Sequence, residues 1–401
     1  MNIAVAQSGG PTCAINSSLT GAVKQALSEE KIDKVYGSKN GIEGVIKGNL
    51  VIFNDIMKSD DDFKLLCLTP SSALGSCRYK LPDYTVDETP YLKIEETFKK
   101  YDIEAFFYIG GNDSMDTIVK LNKYFSIKNS KIKFVGVPKT IDNDLVETDH
   151  TPGFGSAAKY VLTSINEVIR DTSVYDLQSV MIVEIMGRQA GWLAASTCAL
   201  RANGIDKPQL IYLPESEFKV SQFIEDIQNE LKKDNIVIVA VSEGIEVDEI
   251  NQDELSATDG FGHKNLGGIG KQLENIVKEK IGCKVRSIEL NILQRCASHI
   301  ASLTDLTESE EVGKNAVIKM LEGNTGIMMT IKRISDAPYK VTYDTVDASK
   351  VANGEKPFPA EWINDKKNNV TDEAIGYFLP LINGEVSLIT KNGIPCHFEI
   401  K

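Results

Sequence analysis

Several features that would mark a metal-cluster, disulfide-bonded or nucleic-acid-binding protein are missing from this 401-residue chain. The seven cysteines (Cys13, Cys67, Cys77, Cys198, Cys283, Cys296 and Cys396) are scattered, odd in number and never spaced as CxxC. Neither a zinc site nor a disulfide framework is indicated, and reduced thiols in a cytosolic compartment are the simpler reading. The four histidines (His150, His263, His299 and His397) show no ligand spacing and receive no metal role. Basic residues are outnumbered 44 to 57, and the net charge of −13 argues against a nucleic-acid surface. A local cluster of Arg and Lys can still reverse the field in a cleft, so anionic small ligands remain open. No apolar run approaches the ~20 residues that span a bilayer. No charged or long apolar leader precedes the first strand-like segment, Asn2-Ile3-Ala4-Val5-Ala6. The expectation is a cytoplasmic protein with no nucleic acid and no membrane among its partners. GxGxxG and Walker A sequences are absent, as are internal repeats and low-complexity segments.

What is present is an ordinary globular composition, 42% hydrophobic and 25% charged. At roughly 150 residues per domain the length suggests two or three domains. The first two thirds alternates short apolar runs with amphipathic stretches. Ile3-Ala4-Val5-Ala6 leads into Ser8-Gly9-Gly10-Pro11 and a helical pattern from about Ala14 to Leu27. Ala105-Phe106-Phe107-Tyr108-Ile109 leads into Gly110-Gly111 and a helical pattern to about Lys123. Further runs end at Pro138, at Gly187, at Pro214 and at Ser242. Almost wholly apolar strands alternating with helices predict an α/β fold with mainly parallel sheets, covered on both faces. In such sheets ligands collect at the carboxyl ends of the strands, where this chain carries glycines, carboxylates and arginines in run after run. The polar stretch from about Val247 to Gly270 reads as a long loop. The last seventy or so residues read as a small appended subdomain, with a strand expected at Gly384–Ile389.

Three turns carry most of the chemistry. Ser8-Gly9-Gly10 lets backbone N–H groups approach an anion at a helix N-terminus, although a tight strand–helix turn explains it equally. Gly110-Gly111-Asn112-Asp113-Ser114 has the same architecture, plus an amide oxygen and a carboxylate suited to Mg²⁺; a helix N-cap is the plainer alternative. Pro138-Lys139-Thr140-Ile141-Asp142-Asn143-Asp144 places two carboxylates on one side of an extended turn, where mutual repulsion raises one pKa and suits a general base. Lys139 adds a compact cation for phosphate oxygens; the alternative is a polar loop with an Asx turn. Arg188 in Met186-Gly187-Arg188 can bind phosphate bidentately, and Glu243 can accept hydrogen bonds from sugar hydroxyls. Arg286 and Arg295 lie on a basic segment, where the alternative for each is a surface salt bridge. A phosphate cradle, a cation and a base are the parts of a phosphoryl transferase.

Taken together these segments resemble the phosphofructokinase family over roughly the first 330 residues. The resemblance is carried, in order, by Ser8-Gly9-Gly10, Gly75-Ser76-Cys77-Arg78, the segment from Gly110 to Ser114, Thr140-Ile141-Asp142-Asn143-Asp144, Met186-Gly187-Arg188, Ser242-Glu243-Gly244, Arg286 and Gln294-Arg295. It implies two similar α/β domains with the active site in the cleft between them. On that basis residues 1–150 are the donor-phosphate domain, completed by part of 295–340; residues 151–294 are the sugar-phosphate domain; residues 341–401 are a C-terminal extension. It implies that Asp142 takes the proton from the 1-hydroxyl of fructose 6-phosphate, with Thr140, Ile141 and Asp144 supporting that turn. Gly10 and Gly111 meet the donor's phosphates. Met186, Gly187, Arg188 and Glu243 hold the sugar, Gln294, Arg295 and Arg286 serve the 6-phosphate, and Arg78 stabilises the transferred group.

ATP-dependent members usually read GGDGS and PGTIDND. Here Asp113 and Lys139 replace a glycine in each, which resembles the pyrophosphate-dependent branch. A carboxylate opposes a nucleotide's α-phosphate, and a lysine neutralises a small leaving phosphate. The implied reaction makes fructose 1,6-bisphosphate from fructose 6-phosphate and pyrophosphate, reversibly, with Mg²⁺. ATP-dependent phosphofructokinase is the alternative. Asn112 stands where the family usually has a magnesium-binding aspartate and is the expected metal ligand. Ser179 and Ile292 stand where bacterial ATP enzymes carry an arginine and a histidine, so nucleotide effector regulation is not carried over. A homodimer or homotetramer is expected.

Overall fold

The computed structural model of the chain describes residues 1–247 and 268–400. Its main strands are β1 (Asn2–Gln7), β2 (Val35–Ser38), β3 (Leu50–Ile52), β4 (Ile103–Gly110), β5 (Lys133–Pro138), β6 (Ser179–Ile185), β7 (Leu210–Tyr212), β8 (Ile236–Ser242), β9 (Lys284–Glu289), β10 (Ile327–Asp336) and β11 (Tyr339–Asp347). The longer helices are α1 (Ile15–Ser28), α2 (Thr89–Lys100), α3 (Asn112–Ile127), α4 (Phe154–Thr172), α5 (Val220–Leu231), α6 (Ile269–Lys280) and α7 (Leu303–Leu321).

Strand burial follows the two-residue period of an extended chain. Along β4, Ala105, Phe107 and Ile109 enter one apolar layer, while Phe106 and Tyr108 enter the other. β1 divides the same way, Ile3 and Val5 against Ala4 and Ala6. Both faces are therefore closed by helices, which is why these strands read as unbroken apolar runs. The mainly parallel α/β architecture expected from the sequence is present.

The first sheet has the order β11-β10-β5-β4-β1-β2-β3. Its inner strands are parallel, and β3 and β11 run antiparallel at the two edges. The second sheet, β7-β8-β6-β9, is parallel throughout. The chain leaves the first sheet after β5, builds the second, and returns through α7 to add β10 and β11. Residue 341, where the C-terminal extension was expected to begin, falls inside β11.

Beyond β11 the chain is not peripheral. Phe358, Ala374, Phe378 and Leu381 are buried in one core with Phe154 of α4 and Trp192. The Trp192 ring meets Phe358 edge-on at 5.1 Å and Tyr377 at 5.2 Å. The strand expected at Gly384–Ile389 does not form. Instead the Gly384 carbonyl accepts from the Leu303 N–H and the Lys159 ammonium, so the segment is tied to helix ends rather than to a strand. The polar stretch from Val247 to Gly270 lies, but for its ends, outside the described residues. Among the described residues no helix is long and apolar enough to cross a membrane.

Phe378→Ala tests how far the tail belongs to the core. A fully buried Phe truncated to Ala costs ~3–5 kcal/mol, so the urea midpoint falls clearly; a loss below about 1 kcal/mol makes the tail an appendage after all.

Candidate active site

Five strand ends deliver the polar turns to one place. β1, β4 and β5 of the first sheet run into Gly9-Gly10, Gly111 and Lys139. β6 and β8 of the second run into Met186 and Glu243. All of these residues line one cavity of about 420 Å³. Carboxyl edges of parallel sheets collect ligands, and here two such edges share a single cavity.

The first wall is a glycine turn. A Cβ at Gly10 would stand 3.2 Å from Nη1 of Arg295, so a side chain there crowds the guanidinium. Gly111 precedes α3, whose first turn carries Asn112 and Asp113 into the lining. The Asn112 Oδ1 is buried and accepts no hydrogen bond. An unmet buried amide oxygen beside a carboxylate is a donor set that fits a hard divalent cation, most of whose ligands come from phosphates and water.

The second wall is the turn after β5. Lys139 is buried, its N–H donates to the Gly110 carbonyl at 3.0 Å, and its Nζ donates to the Gly10 carbonyl at 2.6 Å. Burial pushes its pKa down to about 8 against the opposing pull of Asp142. The Asp142 N–H donates to Thr140 Oγ1 at 3.1 Å, and Thr151 Oγ1 donates to the Thr140 carbonyl at 2.8 Å. Thr140, Ile141, Asp142 and Asp144 all line the cavity. The sequence suggested an extended turn here, and the structure does not form one. Asn143 is left-handed (φ 55°) and fully buried, and the two carboxylates flank it. Burial raises the pKa of Asp142, opposed by Arg188, Lys139 and Arg295. Asp144 rises to about 7, through burial and then the charge of Asp142.

The opposite wall comes from the second sheet. Gly187 (φ +141°) makes a turn that other residues rarely adopt, and its carbonyl accepts from the Ser242 hydroxyl. Gly187 therefore shapes the turn, while Met186 and Arg188 beside it face the cavity. The Arg188 Nε is buried without a hydrogen-bond partner. Glu243 rises to about 7 through burial and then the charge of Asp142.

Arg78 and Arg295 line both this cavity and an adjoining one of about 210 Å³. Gln294 borders only the smaller cavity. Its amide is spent on backbone, accepting from the Met186 N–H at 3.2 Å and donating to the Asn291 carbonyl at 3.0 Å, so it fixes the Met186 turn. Arg286 is not brought to the site. It lies exposed on β9, beside Lys284 and Tyr175 in a separate small cavity, because its register opposite Met181 keeps it away from the carboxyl edge.

Sequence reasoning missed Lys80, Asn353 and Glu355, which also line the large cavity. Lys80 follows Arg78 by two residues, a spacing that shares one side of an extended segment. Asn353 and Glu355 had no local signal. With them the lining carries five basic side chains (Arg78, Lys80, Lys139, Arg188, Arg295) and five acidic ones (Asp113, Asp142, Asp144, Glu243, Glu355). The cavity is thus locally free of the chain's overall acidic surplus.

Comparison with known proteins bears on the chain as a whole. A family profile described as phosphofructokinase matches residues 2–320. The chain is 37% identical over 398 residues to a pyrophosphate–fructose 6-phosphate 1-phosphotransferase of Halomonas elongata, covering 98% of this chain and 94% of that protein. It is 38% identical over 405 residues to the protein of the same name from Xanthomonas campestris, covering 100% and 96%. Among solved structures, a pyrophosphate-dependent phosphofructokinase from Marinobacter aquaeolei superposes with a TM-score of 0.89 at 36% identity, covering 100% of this chain and 96% of that one.

The raised pKa of Asp144 has a consequence for stability. Its folded value, about 7, lies above the ordinary ~4 of an unfolded aspartate. The stability gained by holding that proton is full below pH ~4 and is lost as pH rises through about 7. Asp144→Asn removes this dependence. The variant's melting temperature, taken relative to the parent protein, should rise between pH 5 and pH 8; a flat or falling difference contradicts the assignment.

Proposed function

This chain belongs to the phosphofructokinase family, and on that premise we propose that it transfers a phosphoryl group from pyrophosphate to the 1-hydroxyl of fructose 6-phosphate. The products are fructose 1,6-bisphosphate and phosphate, and without nucleotide hydrolysis as a driving force the reaction serves glycolysis or gluconeogenesis. The observation that carries the choice of donor is Lys139, buried and held on the Gly10 carbonyl with Asp113 in the same lining. An anchored cation suits a small leaving phosphate, and the carboxylate opposes a nucleotide's additional phosphate.

Asp142 is the base in this reading. As the sugar's O1 bonds to the pyrophosphate phosphorus, its proton passes to the Asp142 carboxylate and the bridging P–O bond breaks. The electron pair leaves with inorganic phosphate, whose charge Lys139 offsets. Arg78 offsets charge on the transferred group. A raised pKa brings Asp142 closer to the operating pH, where a general base is most effective. Arg188, with Met186 and Glu243, supports the sugar, and the Arg188 Nε–H is an unspent donor for it. Arg295 takes the 6-phosphate. Asn112 is the residue fitted to hold Mg²⁺, which when bound screens the charge of the phosphate oxygens. Most of the rate then comes from positioning and electrostatics around one base.

Two measurements test this reading. Initial rates on fructose 6-phosphate with Mg²⁺ should be robust with pyrophosphate, weak with ATP and abolished by a chelator; robust ATP turnover with none from pyrophosphate overturns the donor. Asp142→Asn should lower kcat by about 10²–10⁴-fold while calorimetric binding of fructose 6-phosphate stays within a few-fold. A near-normal rate removes Asp142 from its role.

A further inference from the structure

The Asp142 turn is supported from behind by a part of the chain more than 200 residues away in sequence. Asn143, buried and left-handed between the two carboxylates, has both ends of its amide engaged. Its Nδ2 donates to the Tyr377 hydroxyl at 2.8 Å, and that hydroxyl donates to the Asp149 carbonyl at 2.7 Å. Its Oδ1 accepts from the Thr151 N–H at 3.1 Å and lies 3.5 Å from Lys356 Nζ. Lys356 Nζ also donates to the Asp149 and Thr148 carbonyls, at 2.7 and 3.1 Å. The Lys356 N–H donates to the Asp144 carbonyl at 2.7 Å.

The same segment reaches the sugar side. The Lys356 carbonyl accepts from Trp192 Nε1 at 3.0 Å. Two residues on, the Phe358 N–H donates to Glu215 Oε1 at 2.7 Å, the oxygen that also holds the Gly191 N–H at 2.9 Å. Gly191 and Trp192 lie three and four residues beyond Arg188 of the Met186–Arg188 turn. Arg333 lies over the Tyr377 ring at 4.6 Å and donates to its carbonyl at 3.1 Å, so the phenol is itself fixed.

We propose that Lys356 and Tyr377 are positioning residues for phosphoryl transfer: they set the orientation of Asp142 through Asn143 and lock that turn to the sugar-binding turn of the second sheet. The proposal rests on the functional reading above. Asparagine enters the left-handed region readily, so what distinguishes Asn143 is its full burial with both ends of the amide hydrogen-bonded. A displacement near 1 Å at reacting atoms is enough to cost on the order of 10²-fold in rate. Tyr377 itself is not part of the lining of the active-site cavity. Its removal therefore affects the rate of transfer more than substrate affinity.

The test is kinetic, on the full chain. Tyr377→Phe keeps the ring and removes the hydroxyl, leaving the Asn143 amide donor unmet. It should lower kcat by about 10–100-fold, with KM for both substrates within about threefold of the parent and the melting temperature lowered by only a few degrees. Asn143→Gly keeps a left-handed backbone accessible and removes the amide, and should lower kcat similarly. Because Tyr377 acts through Asn143, the double variant should lose no more than Asn143→Gly alone. A Tyr377→Phe kcat within twofold of the parent, or losses that multiply in the double variant, overturns the proposal. Absence of turnover by the unmodified protein with either pyrophosphate or ATP overturns the functional reading instead.

Discussion

Lys139 beside Asp142 is the interaction on which the site depends. Both groups are largely withdrawn from water, and burial opposes the charged form of each. Neither charge is sustained alone. Lys139 takes a carbonyl from the Gly10 turn and the field of Asp142, while Asp142 draws on Lys139, Arg188 and Arg295. Two of those cations come from beyond the first sheet. Charge balance at the base therefore exists only where the carboxyl edges of both sheets meet, and the chain's path out of the first sheet and back makes that meeting possible.

The same condition explains why the tail is woven into the core. A turn carrying two carboxylates around a left-handed asparagine has little internal means of holding its shape. Lys356 and Tyr377 supply hydrogen bonds to it, and Phe358 and Phe378 anchor those residues among the aromatic rings around Trp192. Rigid apolar packing on one side thus keeps polar geometry on the other. Asn353 and Glu355 reach the cavity as a result of that anchoring.

Much of the site was legible because its residues sit in short segments placed at strand ends. An apolar run followed by glycine, a cation or a carboxylate needs only local chemistry to be read, and Gly10, Lys139, Asp142 and Arg188 were found that way. Gln294 and Arg286 show the limit. Both lie on segments that look like the others, yet one spends its amide on the Met186 backbone and the other faces away from the cleft because of strand register. Lys80 had a faint signal in its spacing from Arg78. The expected strand at Gly384–Ile389 failed because β propensity cannot form a strand where helix ends, not a sheet edge, are the neighbours.

The sequence by itself determined the apolar strands, the glycine turns that end them and the residue types that phosphate chemistry requires. These follow from local sterics and from a two-residue period of burial, which depend on near neighbours in the chain. Only the tertiary structure decided which strand ends share a cavity, how far Lys139, Asp144 and Glu243 depart from their ordinary pKa values, and that residues 353–378 stand behind the base. Those outcomes depend on burial and on charges brought close by folding, and neither quantity is written in any single stretch of sequence.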